Sequence, residues 1–492
     1  MIGLPRRAAA PAADEWSPAG WLVPGILLIA AALRLAHLGA GFWYDEIVNV
    51  VEYVRLPARD IISSYAHANH HVLNSLLARA SISVLGESAW SVRLPAAGFG
   101  IAGVWAFWFV ARRIWTRQVA VLATLVMAVS YPHIHYSQMA RGYAAFMCLA
   151  LLAIGCVLRL AGPSDARAER WAGIGYAAAV ALGLYSLLLM GFVALGHALV
   201  LLAARRWRAI GWLAAGLAGA LVLHAPLLPD LIDYYRNNPG FTGNLLFSLD
   251  FARELGRAWP LAMVAAASGL VLLRQMIRRD PLFAALVTVP LLLNVLLPWL
   301  RGQGVHPRSF MYALPLAHLF VAEGLAWCAA RHRALAPLAA AILVLASVSA
   351  LPRYYSLPKQ GFEEALAYVA NTRAPSDAVV GLSMAGKAGR FYDPSVVVLE
   401  DDEAFAAWLA GRPGPAWILV TFSTQLERDY PRMAEWFDLS TERRAAFEGV
   451  VGDGTVYVHW WAGGGPSASA AAAIRRDSLP LIGGLPPVRA AR

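Results

Sequence analysis

Charge, cysteine and lysine are all scarce in this chain of 492 residues. Charged residues make up only 15% and they cluster between apolar runs, while hydrophobic residues reach 59%. With a mean hydropathy of +0.53, that balance excludes an ordinary soluble protein and fits a chain that crosses a membrane many times. The three cysteines, Cys148, Cys156 and Cys328, all lie in apolar runs. This excludes a disulfide framework and zinc-type cysteine spacing, and leaves them as core thiols. Two lysines, Lys359 and Lys387, stand among 41 basic residues, so arginine carries the net charge of +10. No internal repeat is visible.

What is present is a series of eleven apolar segments, at roughly 21–40, 92–111, 118–136, 143–160, 171–187, 189–204, 209–229, 258–273, 282–299, 310–329 and 335–351. The fifth and sixth are separated only weakly, between Tyr185 and Gly191. The placement of arginine sets their orientation. With residues 1–20 in the cytoplasm, every inside segment is basic. These carry Arg6 and Arg7; Arg112, Arg113 and Arg117; Arg159, Arg167 and Arg170; Arg205, Arg206 and Arg208; Arg274, Arg278 and Arg279; and Arg331 with Arg333. The net charge is thereby explained without a nucleic-acid partner. The first apolar run is longer than a signal-peptide core and is expected to be a retained helix.

An odd number of spans places the C-terminal part outside. Residues 352–462 read as a small soluble α/β domain, with helix-like segments Phe362–Thr372, Glu403–Ala410 and Gln425–Phe437 among strand-like segments Ala378–Ser383, Ser395–Leu399, Ala416–Phe422 and Thr455–Trp461. Residues 463–492, rich in Gly, Ala, Ser, Pro and Arg, read as disordered. The expected fold is a polytopic α-helical membrane protein of about 11 spans, its membrane domain covering 21–351, with a C-terminal α/β extracytoplasmic domain. Within 41–91, Val48–Arg55 and Val72–Val84 have helix-like apolar spacing and read as helices lying on the membrane surface.

The acidic pair Asp45-Glu46 follows the first span directly, and acids at a membrane surface need something that uses or pairs them. On this topology Asp45, Glu46, His67, His70, His71, His133, His135, Arg141, Tyr143, His224, His306 and Arg308 all fall on or near the outer face. Longer and more polar outer loops would produce part of the same bias. The spacing His67-x-x-His70-His71 can put two imidazoles on one helical face and bind a metal, with Asp45 or Glu46 and His224 or His306 completing a site; the plain alternative is hydrogen bonding to substrate hydroxyls or helix capping. A divalent cation is compatible with this set and not required. The loop from Arg301 to Arg308 is basic although it lies outside, and a guanidinium suits a phosphate, with bilayer headgroups as the alternative. A carboxylate base, histidines and phosphate-binding arginines together suit transfer of a group from a membrane-embedded phosphate carrier to an acceptor hydroxyl.

Several residue strings resemble the GT-C superfamily of polyprenyl-phosphate-sugar glycosyltransferases, in its protein O-mannosyltransferase and lipid A aminoarabinose-transferase branch. They are Leu33-Arg34-Leu35 before Asp45-Glu46; His70-His71-Val72-Leu73-Asn74-Ser75-Leu76-Leu77; Leu85-Gly86-Glu87 through Arg93-Leu94-Pro95; Ser137-Gln138-Met139-Ala140-Arg141-Gly142-Tyr143; and Arg308-Ser309-Phe310-Met311-Tyr312-Ala313-Leu314-Pro315. The resemblance covers about residues 20–350. It implies an inverting transferase whose site faces the periplasm or cell exterior, with Asp45 as base or metal-facing acid and Glu46 beside it. Arg308 would contact the donor phosphate. Read with the outer-face chemistry above, His306, Arg301 and Arg141 are the further candidates for the phosphate, His70, His71, Tyr143, Tyr312 and Arg34 for the substrate, and His67, His71 and His224 for a metal. There are departures: His71-Val72-Leu73 lacks the family's prolines, and 131–142 has no Asp or Glu where some members carry a second acid.

The expected partners are a polyprenyl-phosphate sugar donor, a lipid, glycan or protein acceptor, and membrane lipid, in a bacterial inner membrane. A lipid-linked sugar transporter or flippase would instead put polar residues deep in several spans. A non-catalytic envelope assembly protein would have the soluble domain as its working part.

Overall fold

The structure, a computed structural model, describes residues 19–163, 165–238, 270–301, 307–331, 338, 341, 344–345, 347–411, 414–450 and 454–463. His306, the N-terminus before residue 19, the tail from 464, most of the span expected at 258–273 and about half of that expected at 335–351 lie outside them. The chain divides into two compact units, one of residues 1–38 and 53–350, the other of 39–52 and 351–492.

The first unit is helical. Its long helices are Ala19–Leu35, Ala89–Ile114, Tyr143–Leu160, Ala166–Ser186, Met190–Ala203, Trp207–His224, Pro281–Leu300 and Leu314–Arg331. Each coincides with an expected span. Among the described residues five helices are long and apolar enough to cross a membrane, or six if the bent pair Arg117–Val129 and Tyr131–Ser137 is one span. Helix Trp207–His224 runs on through a 3-10 turn into Leu228–Asn237, so the expected second outer segment begins as helix. The helix expected at 72–84 is present as Val72–Leu85. The other becomes a short helix, Tyr44–Asn49, continued by a π turn, Val50–Val54.

The bend of 58° between Arg117–Val129 and Tyr131–Ser137 has a local cause. Pro132 lacks the N–H that would bond to the Ala128 carbonyl one turn earlier. The fully buried Arg34 fills that gap. It donates to the Ala128 carbonyl at 2.9 Å, to Met127 O at 3.3 Å and to its own helix at Ala30 O at 3.0 Å, and it contacts His133 Nδ1 at 2.6 Å. Gln138 returns the favour by donating to the Leu33 and Arg34 carbonyls at the end of the first helix. One kinked element is thus stitched to the first helix from both sides.

The second unit is a five-stranded sheet in the order β2-β1-β3-β5-β4. The strands are β1 (Ala378–Leu382), β2 (Val397–Leu399), β3 (Ala416–Val420), β4 (Glu442–Phe447) and β5 (Val456–Trp461). The first three are parallel and β5 runs antiparallel between β3 and β4. Fully buried β1 and β3 carry near-continuous apolar runs, as central parallel strands do. Two elements were not foreseen from sequence. The edge strand β4 is Glu-Arg-Arg-Ala-Ala-Phe, whose charges protect an edge and mask its strand character. Helix Met384–Tyr392 contains two glycines and a lysine. Those glycines serve packing: a Cβ on Gly381 of β1 would lie 2.6 Å from Gly386 N, so helix and strand touch at their backbones.

Gly381→Ala is therefore expected to destabilise this domain by about 1–3 kcal/mol. Limited proteolysis of the whole protein should show earlier cleavage inside 378–392, with the helices of the first unit cut at the native rate.

Candidate active site

In the first unit the chemistry gathers around one imidazole. His71 caps the start of helix Val72–Leu85 and is buried. Arg141 Nε–H donates to its Nε2 at 3.3 Å. Since Arg141 can only donate, Nε2 accepts, so the ring proton sits on Nδ1 and donates to the Ser186 carbonyl at 3.2 Å. Burial, then the charge of Arg141, hold the His71 pKa well below its usual value, and Arg308 pushes the same way. His71 is thus neutral and orients a guanidinium. Arg141 also donates to Asn69 Oδ1 at 2.6 Å and lies over the Tyr143 ring at 5.0 Å. Arg308 is exposed at the start of the 3-10 turn Pro307–Ala313. Tyr136 and Tyr143 meet edge to face at 5.1 Å.

A backbone detail makes this possible. A Cβ on Gly142 would stand 2.5 Å from Ser186 O and 3.1 Å from His71 Nδ1. Only glycine lets the 141–142 backbone approach the end of helix Ala166–Ser186 this closely, and Ser186 Oγ then donates to Gly142 O at 3.0 Å.

Beside this cluster opens a cavity of about 270 Å³, toward the low end of small-molecule sites. His70 and Ser186 border it, and Val72, Leu187, Phe192 and Leu227 make it largely apolar. His70 stacks flat on Tyr53 at 3.8 Å, and burial holds its pKa down at about 4. It is therefore a neutral wall of the cavity.

In the second unit, Asp45 and Glu46 sit in the first turn of helix Tyr44–Asn49. They differ in role. Glu46 is fully buried and its carboxylate reaches back to accept from Trp43 N–H at 3.4 Å, a helix-capping contact. Asp45 is half-buried.

Residues 69–229 match the family model described as dolichyl-phosphate-mannose-protein mannosyltransferase. The fold is similar to the crystal structure of ArnT from Cupriavidus metallidurans in the apo state, with a TM-score of 0.54 at 15% identity over 90% of this chain and 98% of that one. It is also similar to the oligosaccharyltransferase AglB from Archaeoglobus fulgidus in complex with an inhibitory peptide and a dolichol-phosphate. There the TM-score is 0.51 at 12% identity, over 89% of this chain and 74% of that one. The chain has the GT-C fold. No curated protein matches it by sequence.

Within this GT-C fold the expected site residues separate. His71, Arg141 and Tyr143 come together, the charge of Arg308 reaches His71, and His70 borders the adjoining cavity. Arg34 does not face this cluster; it is buried against the bent helix pair, where its guanidinium serves main-chain carbonyls. Tyr312 packs in the helical core, its ring 5.6 Å from Phe146. Arg301 is an exposed helix C-cap, and no described contact ties it to the cluster. The expected metal set does not assemble. His67 is exposed, with its backbone N–H on Tyr53 Oη at 2.9 Å. His71 has both ring nitrogens engaged, and His224 Nδ1 bonds to Ala220 O at 2.8 Å. Among the described residues no three His, Cys, Asp or Glu are arranged to hold a metal. Asn69, Tyr136 and Ser186 were missed from sequence. The first two are neighbours of motif residues, which was a usable signal; Ser186 is brought in only by tertiary packing.

Truncating Arg141 to Ala removes its bonds to His71 and Asn69, charge-assisted bonds worth about 1.5–3 kcal/mol, so hydrogen–deuterium exchange at the amides of 69–71 should rise about tenfold or more. Arg34→Ala should instead lower the unfolding temperature, because it leaves buried carbonyls unpaired at about 1–3 kcal/mol each. Local exchange and thermal unfolding in detergent separate the two roles.

Proposed function

We propose that this chain is a membrane glycosyltransferase that moves a sugar from a polyprenyl-phosphate donor to an acceptor hydroxyl. The observation that carries this reading is the Arg141 guanidinium bonded to a buried neutral histidine beside an apolar cavity, with the charge of Arg308 near enough to act on the same ring. A phosphate with an isoprenoid tail matches both parts: the arginines take the phosphate bidentately and the cavity takes the leading isoprene units. AglB, of the same fold, is solved with a dolichol-phosphate, a lipid phosphate of this class. The family description matched over 69–229 names a dolichyl-phosphate sugar donor.

In this reading the acceptor oxygen attacks the anomeric carbon as its proton passes to the Asp45 carboxylate. The bond from that carbon to the phosphate oxygen breaks with inversion. The polyprenyl phosphate leaves with the bonding pair, and Arg141 and Arg308 stabilise the charge that develops on it. Glu46 shapes the helix that presents Asp45. The described residues offer no fitting ligand set for a metal, so no step is routed through one. The arginine distribution supports a site facing the periplasm or cell exterior of a bacterial inner membrane.

A general base contributes about 10²–10⁴-fold. Asp45→Asn should therefore reduce the sugar-modified product in a complemented deletion strain by at least a hundredfold, measured by mass spectrometry of lipid and glycan extracts. Native product yield from that variant would refute the assigned chemistry.

A further inference from the structure

The C-terminal α/β domain has the strand order of a sheet with a topological switch point. The chain passes from β1 to β2 on one side and then to β3 on the other, so a crevice opens at the carboxyl ends of β1 and β3. Such crevices are where doubly wound sheets take ligands. Both strand ends here carry a strained non-glycine residue: Ser383 after β1 at φ 48° and Phe422 beyond β3 at φ 51°. Strain of this kind costs about 1–3 kcal/mol and collects at working sites.

The occupant is the chain's own segment 41–46. Phe42 N–H donates to Tyr392 Oη at 2.6 Å, and Tyr392 Oη–H donates back to Phe42 O at 3.1 Å. Tyr44 N–H donates to Gln360 Oε1 at 2.8 Å, while Gln360 Nε2 donates to Thr421 Oγ1, beside the end of β3, at 3.0 Å. The Tyr44 ring meets Phe422 edge to face at 6.2 Å, and Phe42 meets Phe391 likewise at 5.8 Å. The holders are themselves held. Tyr392 ends the helix packed backbone to backbone on β1. Gln360 is buried in a loop pinned by Val450 N–H on Pro358 O at 3.0 Å, and Gly361 lies so close to Phe447 that a Cβ would be 2.7 Å from its side chain.

We propose that the α/β domain is a positioning device for the transfer reaction: its switch-point crevice binds segment 41–46 as a built-in ligand, and Tyr392 and Gln360 fix the helix start that presents Asp45. The function of the domain is then neither acceptor binding nor assembly. Tyr392 and Gln360 are positioning residues, acting on Asp45 through the backbone at Phe42 and Tyr44. The proposal rests on the transferase reading for its catalytic arm and stands on its own for its anchoring arm.

The test uses the full-length protein in nanodiscs and in a complemented deletion strain. In Tyr392→Phe and Gln360→Ala, hydrogen–deuterium exchange should rise at least tenfold at the amides of 42 and 44. Product yield should fall about tenfold or more, as misplacement by about 1 Å can do. The affinity for undecaprenyl phosphate should stay native. Gln360→Glu keeps the acceptor for Tyr44 N–H and should restore both exchange protection and yield. Native exchange in both loss variants, or a yield loss that tracks lipid affinity, or failure of Gln360→Glu to rescue, overturns the proposal. If Asp45→Asn keeps full yield while the exchange results hold, the anchoring stands and the transferase chemistry is what fails.

Discussion

The kink that Pro132 forces between Val129 and Tyr131 is the constraint on which the helical unit depends. An unpaired carbonyl inside a membrane helix costs several kcal/mol, and Arg34 removes that cost by bonding the Ala128 and Met127 carbonyls. Having turned by 58°, the chain places Tyr136, Gln138 and Arg141 within a few residues of one another. Gln138 seals the end of the first helix, and Arg141 goes to His71. An arginine in a first span and a proline in a third therefore decide where a later arginine points. Arg34 belongs to the site only through this framework.

The candidate acids and the candidate phosphate-binding arginines group with different compact units. Arg141, Arg308 and His71 belong to the helical unit, whereas Asp45 and Glu46 group with the α/β domain through segment 39–52. The two acids differ: the fully buried Glu46 carboxylate bonds back to Trp43 N–H and holds its own helix, whereas Asp45 is half-buried.

Much of the helical unit was legible in the sequence, because a span is an unbroken apolar run and length alone identifies it. Helix Phe362–Thr372 and the buried strands β1 and β3 were legible for the same reason of strong periodicity or continuous burial. The charged edge strand β4 and the glycine-bearing helix Met384–Tyr392 were not, since their residue types serve edge protection and close approach rather than propensity. At the site, Asp45, His71, Arg141 and Arg308 were readable as chemistry-bearing residues in motif-like strings. Tyr312 and Arg34 carried the same kind of signal and proved to be packing residues, because a string cannot tell a guanidinium facing a substrate from one filling a helix break. Gln360 and Tyr392 had no local signature at all: their roles exist only once residues more than three hundred positions apart are brought together.

The central claim is that the Arg141, Arg308 and His71 cluster is a lipid-phosphate site. The most direct measurement is a cryo-electron microscopy structure of the full chain in nanodiscs with undecaprenyl phosphate. The account predicts phosphate density within hydrogen-bond reach of both Arg141 and Arg308, with the first isoprene units running into the cavity bordered by His70 and Leu227. Phosphate density elsewhere on the helical unit, with none within reach of Arg141 or Arg308, would contradict it.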